Sequence, residues 1–525
     1  MTVSIPSAPE GHGELLVHPP FEEWVGRMEG NRNASAEWEF AVGGVPASEL
    51  RRKARAETLS AASAFSARLG VPVRAAGSLE QPIVMTGHQP ELYHPGVWVK
   101  NFLLQKLSDS AGASAIDVVV DSDGFDEVSI VAPCYTPELH RCRQLLAAGS
   151  THSCFACAPS PGAHTIGEFC AGVEELLSTL PAPSVRSHFA EFSRALEDAS
   201  VSACNLSELI TFARRRYEAS AGNDYAELPV SRLARSGAFA DFVADIALNA
   251  ERFAGAYNSE LDEYRDVSRT RSAAQPFPNL AIEGDRIELP LWALAAGTRE
   301  TVWAERSSGA VRLMAGERLI ASLDPVRPSA AAEVVACSAL LIAPKALLLT
   351  LYVRMFCCDL FIHGTGGGRY DQVTDGVCRR YFGVEPPAYV VASLTMHLPL
   401  GGEEVTDAEV SSARERLNRL DRNPDEMLDQ IEFGSAAERA RAEELAGQKR
   451  QLVIDISAEG ADKKRIGGLI RQVNAELSLM LKPVRLRYEQ DLRSLESRRA
   501  AADILTDRTY PFCFWAPAEI AETVR

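Results

Sequence analysis

The chain has no uninterrupted run of the roughly 20 apolar residues that a helix needs to cross a bilayer. Its most apolar stretch, Val334 to Ile362, is broken by Pro344-Lys345, Arg354 and Asp359. The opening MTVSIPSAPEGHGELL lacks a basic segment followed by an apolar one, so no secretory leader is expected. Excess positive charge is missing too: Lys+Arg 54 against Asp+Glu 71 leaves −17. That balance argues against a nucleic-acid partner and against adhesion to a membrane surface. The eleven cysteines are an odd number and include the adjacent pair Cys357-Cys358. They read as reduced thiols rather than a disulfide framework, and the expected location is cytoplasmic. No internal repeat is visible.

What is present is a globular mixture, 46% hydrophobic and 24% charged over 525 residues. At ~150 residues per domain, that length suggests two to four structural units. Residues 1–45 carry little pattern and read as an irregular arm; an Ala-rich helix over 46–69 completes an N-terminal segment, 1–80. The apolar run 82–86 (PIVMT) predicts a strand, followed by the loop GHQPELYHPG and a helix over 97–107. The run 116–121 (IDVVVD) predicts a strand buried on both faces. Strand, loop, helix and strand in that order predict a crossover in a parallel sheet, hence an α/β core over 80–400. Connecting segments, about 134–330, interrupt it: 134–183 reads as Cys- and Pro-rich loop, 186–270 as helices, 275–325 as short strands and turns. A second α/β stretch follows at 334–396, with a helix over 346–358, a strand over 359–363, the glycine loop GTGGG, and a strand over 388–393. Residues 405–500, rich in Glu, Arg, Ala and Leu, predict two long antiparallel helices, a coiled-coil arm suited to homodimerisation. An aromatic tail, 501–525, is expected to return to the core.

Three loops carry candidate chemistry. In the first, Thr86, Gly87, His88 and Gln89 end a strand and His94 and Lys100 open the following helix. A strand's carboxyl end feeding a helix amino terminus is where α/β sheets bind ligands, and its amides favour an anion. In the second, Asp121, Asp123 and Asp126 leave the next strand; carboxylates there can hold Mg²⁺ through water, bind an amine, or act as a base. The later ligand positions of a calcium loop are missing, so an EF-hand is rejected. In the third, His363-Gly-Thr-Gly-Gly-Gly-Arg369-Tyr-Asp371 combines close-approach glycines, Gly366 and Gly367, with a guanidinium at Arg369 and the ring of Tyr370. It matches neither the Walker A spacing nor a dinucleotide fingerprint, and no G-x-S-x-G elbow accompanies it. Cys154 and Cys157 have C-x-x-C spacing, but no second pair completes a zinc set, so zinc is not expected. Each loop also has a plain structural reading, as a turn, a solvated acidic bend or a packing glycine.

The order TGHQPELYHPG, DSDGFDEV, LFIHGTGGGRYD, PPAYVVASLTM, helical arm and returning tail resembles the bacillithiol biosynthesis cysteine-adding enzyme family over most of residues 80–525. The resemblance implies a Rossmann-like core, related to class I aminoacyl-tRNA synthetases, with insertions and a dimerising coiled coil. It implies an ATP-dependent ligase, using Mg²⁺, that couples cysteine to the amino group of glucosaminyl malate. By position, Thr86, Gly87, His88 and Gln89 would line a nucleotide or sugar pocket, Asp121, Asp123 and Asp126 would face the substrate, and Gly366, Gly367 and Tyr370 would close it. The family pattern has Gln where this chain has His88, and a histidine in the acidic motif that is missing here, so the substrate pair is the open point. Read from the residues themselves, His88, Asp121 and Asp123 are the catalytic candidates; His94, Lys100, His363 and Arg369 join the binding set. Two other classes fit the same loops: nucleotidyl transfer onto a sugar or phosphate, and a non-catalytic metabolite-binding dimer.

Overall fold

Apolar β-branched runs form the inner strands of the largest sheet. The computed structural model describes residues 5–75, 77–136, 138–150, 152–269, 277–295, 297–401, 405–458 and 461–525; the first four residues of the opening segment lie outside these. The strands are β1 (Leu15–His18), β2 (Ile83–His88), β3 (Ser114–Val119), β4 (Ala226–Pro229), β5 (Leu360–His363) and β6 (Val390–Leu394). Their spatial order is β1-β6-β5-β2-β3-β4. The last five are parallel, and β1 runs antiparallel along β6. The architecture is therefore α/β with a mixed sheet. From β2 the chain steps outward through β3 and β4, then crosses back to β5 and β6 on the other side.

The helices that frame this sheet are α1 (Trp24–Ala36), α2 (Ala47–Ser66), α3 (Pro95–Ala111), α4 (Leu206–Glu218), α5 (Ala346–Tyr352) and α6 (Thr365–Phe382). A second, antiparallel sheet is built from 286–295, 298–307, 310–315, 318–323 and 341–344. One contiguous apolar cluster joins it to α2, α5 and α6.

Several segments differ from the sequence expectation. The N-terminal arm is ordered: β1 pairs with β6, and Asn31 in α1 donates to the carbonyls of Asp359 and Ala388, both at 2.8 Å. Short, half-buried edge strands carry no periodic signal, which hid β1. The segment 134–183 is not loop: strands Glu127–Tyr135 and Leu139–Ala148 pair, and Ala163–Ser178 is helical. The helix over 346–358 ends its α-helical part at Tyr352 and continues as a π-helical turn, Val353–Cys357. Four cysteines are bridged rather than free, Cys134 with Cys142 and Cys154 with Cys157. In the latter pair a tight turn, with the Cys157 amide on the Cys154 carbonyl at 3.0 Å, brings the Cα atoms to 5.2 Å.

By contacts the chain divides into two units, residues 1–136, 141–398 and 508–525 in one, 137–140 and 399–507 in the other. Among the described residues the second holds four α-helices rather than two long ones: Asp407–Arg422, Ala436–Ile456, Lys463–Met480 and Lys482–Leu505. Pro424 and Pro483 interrupt the pattern, as proline must inside a helix. Its core is small, Ala442, Leu445, Val473 and Leu477 in one cluster and Leu420, Leu481 and Val484 in another. In the first unit, the tail docks on α3: the Phe512 amide donates to the Tyr93 carbonyl at 2.7 Å, and the Phe512 ring meets Trp98 at 5.0 Å.

One carboxylate stitches the start of β5 to its neighbours. Asp359, 2% exposed, accepts from Arg51 and Arg55 of α2, both at 2.8 Å, and from the Ile83 amide at 2.7 Å. Removing one member of a buried ion pair strands the other charges, at a cost of about 3 kcal/mol or more. Asp359→Ala is expected to lower the urea midpoint accordingly, whereas an exposed control such as Asp126→Ala leaves it within error.

Candidate active site at the carboxyl ends of the parallel strands

The strand ends on either side of β2 enclose a cavity of about 310 Å³. Gly87, His88 and Gln89 reach it from β2, Val118 and Val120 from β3, Phe361 and His363 from β5, and Gly367, Tyr370, Asp371 and Thr374 from α6. Leu347, Thr350 and Val353 close the remaining wall. The lining is mostly apolar, with polar groups converging at one side, the usual constitution of a small-molecule site.

A buried clamp sets the polar side. Asp371 accepts from His363 Nε2 at 2.9 Å and from Thr350 Oγ1 at 2.7 Å, and it pairs with the Arg354 guanidinium. Arg354 also bonds Asp375 at 2.7 Å and lies over the Tyr389 ring at 4.7 Å. Burial alone would raise the Asp371 carboxyl, but Arg354 and then His363 outweigh it and hold it well below the usual carboxylate range. Thr350, Arg354 and Thr374 escaped the sequence reading. Asp371 closes the glycine-loop motif and was in view; Thr350 and Arg354 sit inside an apolar stretch and give no local signal.

His88 joins the lining from the end of β2, half-buried, its Nδ1 at 3.2 Å from the Gln89 carbonyl and its ring edge-on to Tyr93 at 5.2 Å. Burial pulls its pKa down to about 3, helped by Lys100 and His94, so it is a neutral imidazole whose Nδ1–H is engaged by the Gln89 carbonyl and whose Nε2 is left as an acceptor. The glycines differ in purpose. A Cβ on Gly368 would meet Val391 Cγ2 at 2.6 Å, and one on Gly367 would meet His363 Nδ1 at 2.9 Å, so packing demands both. Gly366 is exposed with open space where a Cβ would go.

The cavity thus brings together Gly87, His88, Gln89, His363, Gly367 and Tyr370 among the sequence candidates. The others lie elsewhere. Thr86 is buried and donates to the Ile362 carbonyl at 2.8 Å, tying β2 to β5. His94 caps α3, accepting from the Gly96 amide at 3.1 Å. Lys100 donates to the Gly87 carbonyl at 2.9 Å, and burial draws its ammonium down to about 8 despite Asp117. Asp121 is held by the Ser231 amide and hydroxyl, with burial raising it to about 6, and it lines a neighbouring cavity. Asp123 stands between the two, accepting from Gln89 Nε2 at 2.9 Å and from Arg299 at 2.7 Å. Asp126 and Arg369 are exposed, the latter 3.2 Å from Ser7 Oγ. Cys154 and Cys157 are bonded to each other, which removes them as a thiolate pair for zinc.

No protein-family model matches this chain, and no curated protein matches it.

The depressed His88 pKa has a sign that can be tested. The ring titrates near 6.5 when unfolded and about 3 when folded, so the unfolded chain binds more protons between those values. Its contribution is fully present above pH 6.5 and is lost as pH falls toward 3. Urea unfolding of His88→Gln from pH 6.5 to 4.5 is expected to lose stability less steeply than wild type, by up to one proton's slope. Parallel curves would contradict the assignment.

Proposed function

We propose that the chain is an ATP-dependent carbon–nitrogen ligase on a Rossmann-like core, joining an amino acid, cysteine by the resemblance, to an amine-bearing small molecule such as glucosaminyl malate. The supporting observation is the position of the cavity. Counted over the parallel strands in chain order, the sheet runs 5-4-1-2-3, the doubly wound order, and the cavity opens where the order reverses beside the first strand. The reading also draws on the motif order that resembles the cysteine-adding family.

Coupling a carboxylate to an amine in water needs an activated acyl group, as adenylate or acyl phosphate. In this reading the apolar wall of Val118, Leu347 and Val353 takes the base, and the first-turn amides of α6 at Gly366 and Gly367 meet the phosphates. His88, neutral with its Nδ1–H on the Gln89 carbonyl, offers Nε2 as an acceptor to a substrate N–H or O–H, and Asp371 fixes the His363 ring to orient or accept a proton from the amine. The carboxylates at hand do not suit a protein-held Mg²⁺, since Asp371, Asp123 and Asp121 are committed to Arg354, Arg299 and Ser231. The exposed apolar residues Val453, Ile454, Leu469, Leu479 and Leu486 favour self-association through the helical unit, and the reading makes the protein a cytoplasmic homodimer.

The test is mass spectrometry of the full chain incubated with ATP, Mg²⁺, glucosaminyl malate and mixed amino acids. The expected result is a cysteine adduct formed in step with ATP consumption, with His363→Ala slowing it ~100-fold, as loss of a positioned acid–base group does. ATP left intact with every amino acid offered would overturn the reading.

A further inference from the structure

The C-x-x-C turn plays no part in the ligase reading, yet it borders a second cavity, of about 410 Å³, beyond the exit of β3. Cys154 is fully buried, while Cys157 is half-exposed and lines that cavity, so one sulfur of the bridge is reachable and its partner is not. Two guanidiniums, Arg232 and Arg235, are exposed on the same cavity and form no ion pair among the described residues. The wall's carboxylates are already engaged: Glu208 takes two bonds from Arg68, and Asp121 takes the amide and hydroxyl of Ser231. An attackable disulfide sulfur and two exposed guanidiniums, of which Arg232 feels Asp121 through space without bonding it, thus share a space of small-molecule size. Positive charge around such a site concentrates an anion and favours its thiolate.

We propose that the Cys154–Cys157 bridge is a thiol–disulfide exchange site and that this cavity seats its co-substrate, a small thiol bearing a carboxylate. The carboxylate docks on Arg232 and Arg235. The ligand's thiolate sulfur bonds to Cys157 Sγ, the Sγ–Sγ bond breaks, and Cys154 leaves with the electron pair and takes up the proton that the thiol gave. A second ligand thiolate attacks the ligand sulfur of the mixed disulfide, releasing Cys157 as a thiol. Two thiols become one small disulfide while the bridge becomes two cysteines, and the electrons balance.

Opening the bridge reaches the first cavity. The Phe155 amide donates to the Asp123 carbonyl at 3.2 Å and the Ala156 amide to the Asp121 carbonyl at 2.8 Å. Phe155 stacks on Phe125 at 4.7 Å. The turn that the bridge ties therefore backs the loop whose Asp123 holds Gln89 against the cavity wall. The proposal stands on the bridge and its cavity and does not depend on ligase activity.

The experiment compares two reductants on the full chain purified without reductant: mercaptoacetate, which carries a carboxylate, and 2-mercaptoethanol, which does not. Alkylation and peptide mass mapping follow the bridge at equal thiolate concentration. The expected intermediate is a mixed disulfide on Cys157 and not on Cys154. Mercaptoacetate should react ~5-fold or more faster per thiolate at low salt, the scale of local electrostatic steering. In the double variant Arg232→Ala, Arg235→Ala that advantage should fall to about one, the mercaptoacetate rate dropping further than the mercaptoethanol rate, whose thiolate carries the single charge. Both substitutions are on exposed residues, so the fold should tolerate them. Cysteines 154 and 157 alkylated without any reduction, adduct on Cys154, equal rates in the wild type, or an advantage surviving the double variant would each overturn the proposal.

Discussion

A single buried carboxylate, Asp371, fixes the geometry on which the candidate site depends. It gathers the end of β5 through His363, the apolar helix through Thr350, and the π-helical turn through Arg354. His363 and Arg354 are buried, so each would be left with an unmet donor if Asp371 were lost, whereas the Thr350 hydroxyl also reaches the Leu347 carbonyl at 3.1 Å. Conversely, Arg354 is the largest of the influences that keep the carboxylate ionised at that depth, with His363 and Thr350 adding to it. Mutual need of this kind makes the arrangement nearly all-or-none, and it presets the His363 ring before any ligand arrives. Preset donors are worth more to a reacting group than donors that must reorganise.

The exit of β3 then divides the carboxyl edge of the sheet into two chemically different spaces. Val118 and Val120 line the apolar cavity beside His88, while Asp121 faces the polar one beside Cys157. Asp123 links them, with Gln89 on one carboxylate oxygen and Arg299 on the other. Arg299 in turn lies over Trp292 at 4.4 Å, and Lys345 approaches the same ring from its own 4.4 Å contact. The second sheet therefore supports the acidic loop through a cation–π stack rather than through apolar packing alone. A change in either cavity has a short covalent and hydrogen-bonded route to the other.

Much of this edge was legible in the residues. PIVMT, IDVVVD and LFIH are strands because unbroken β-branched and apolar runs suit a sheet covered on both faces. His88, His363 and Gly367 were found because they follow such runs. The clamp was harder to see: Thr350 and Arg354 lie in a helix that reads as plain core, and only the fold brings them to Asp371. The acidic loop misled in the other direction. Asp121 and Asp123 adjoin the first cavity in sequence, but their carboxylates are taken by Ser231 and Arg299, residues more than a hundred positions away. Cysteine count and spacing likewise did not disclose which thiols pair, since that depends on how tightly the turns close.

The central claim is that the apolar cavity beside β2 is where the nucleotide binds. A crystal structure of the full chain soaked with a non-hydrolysable ATP analogue tests it most directly. The account predicts density for the base against Val118, Leu347 and Val353, with the phosphates at the first turn of α6 near His88. An analogue bound elsewhere on the protein, with this cavity filled only by water, would contradict it.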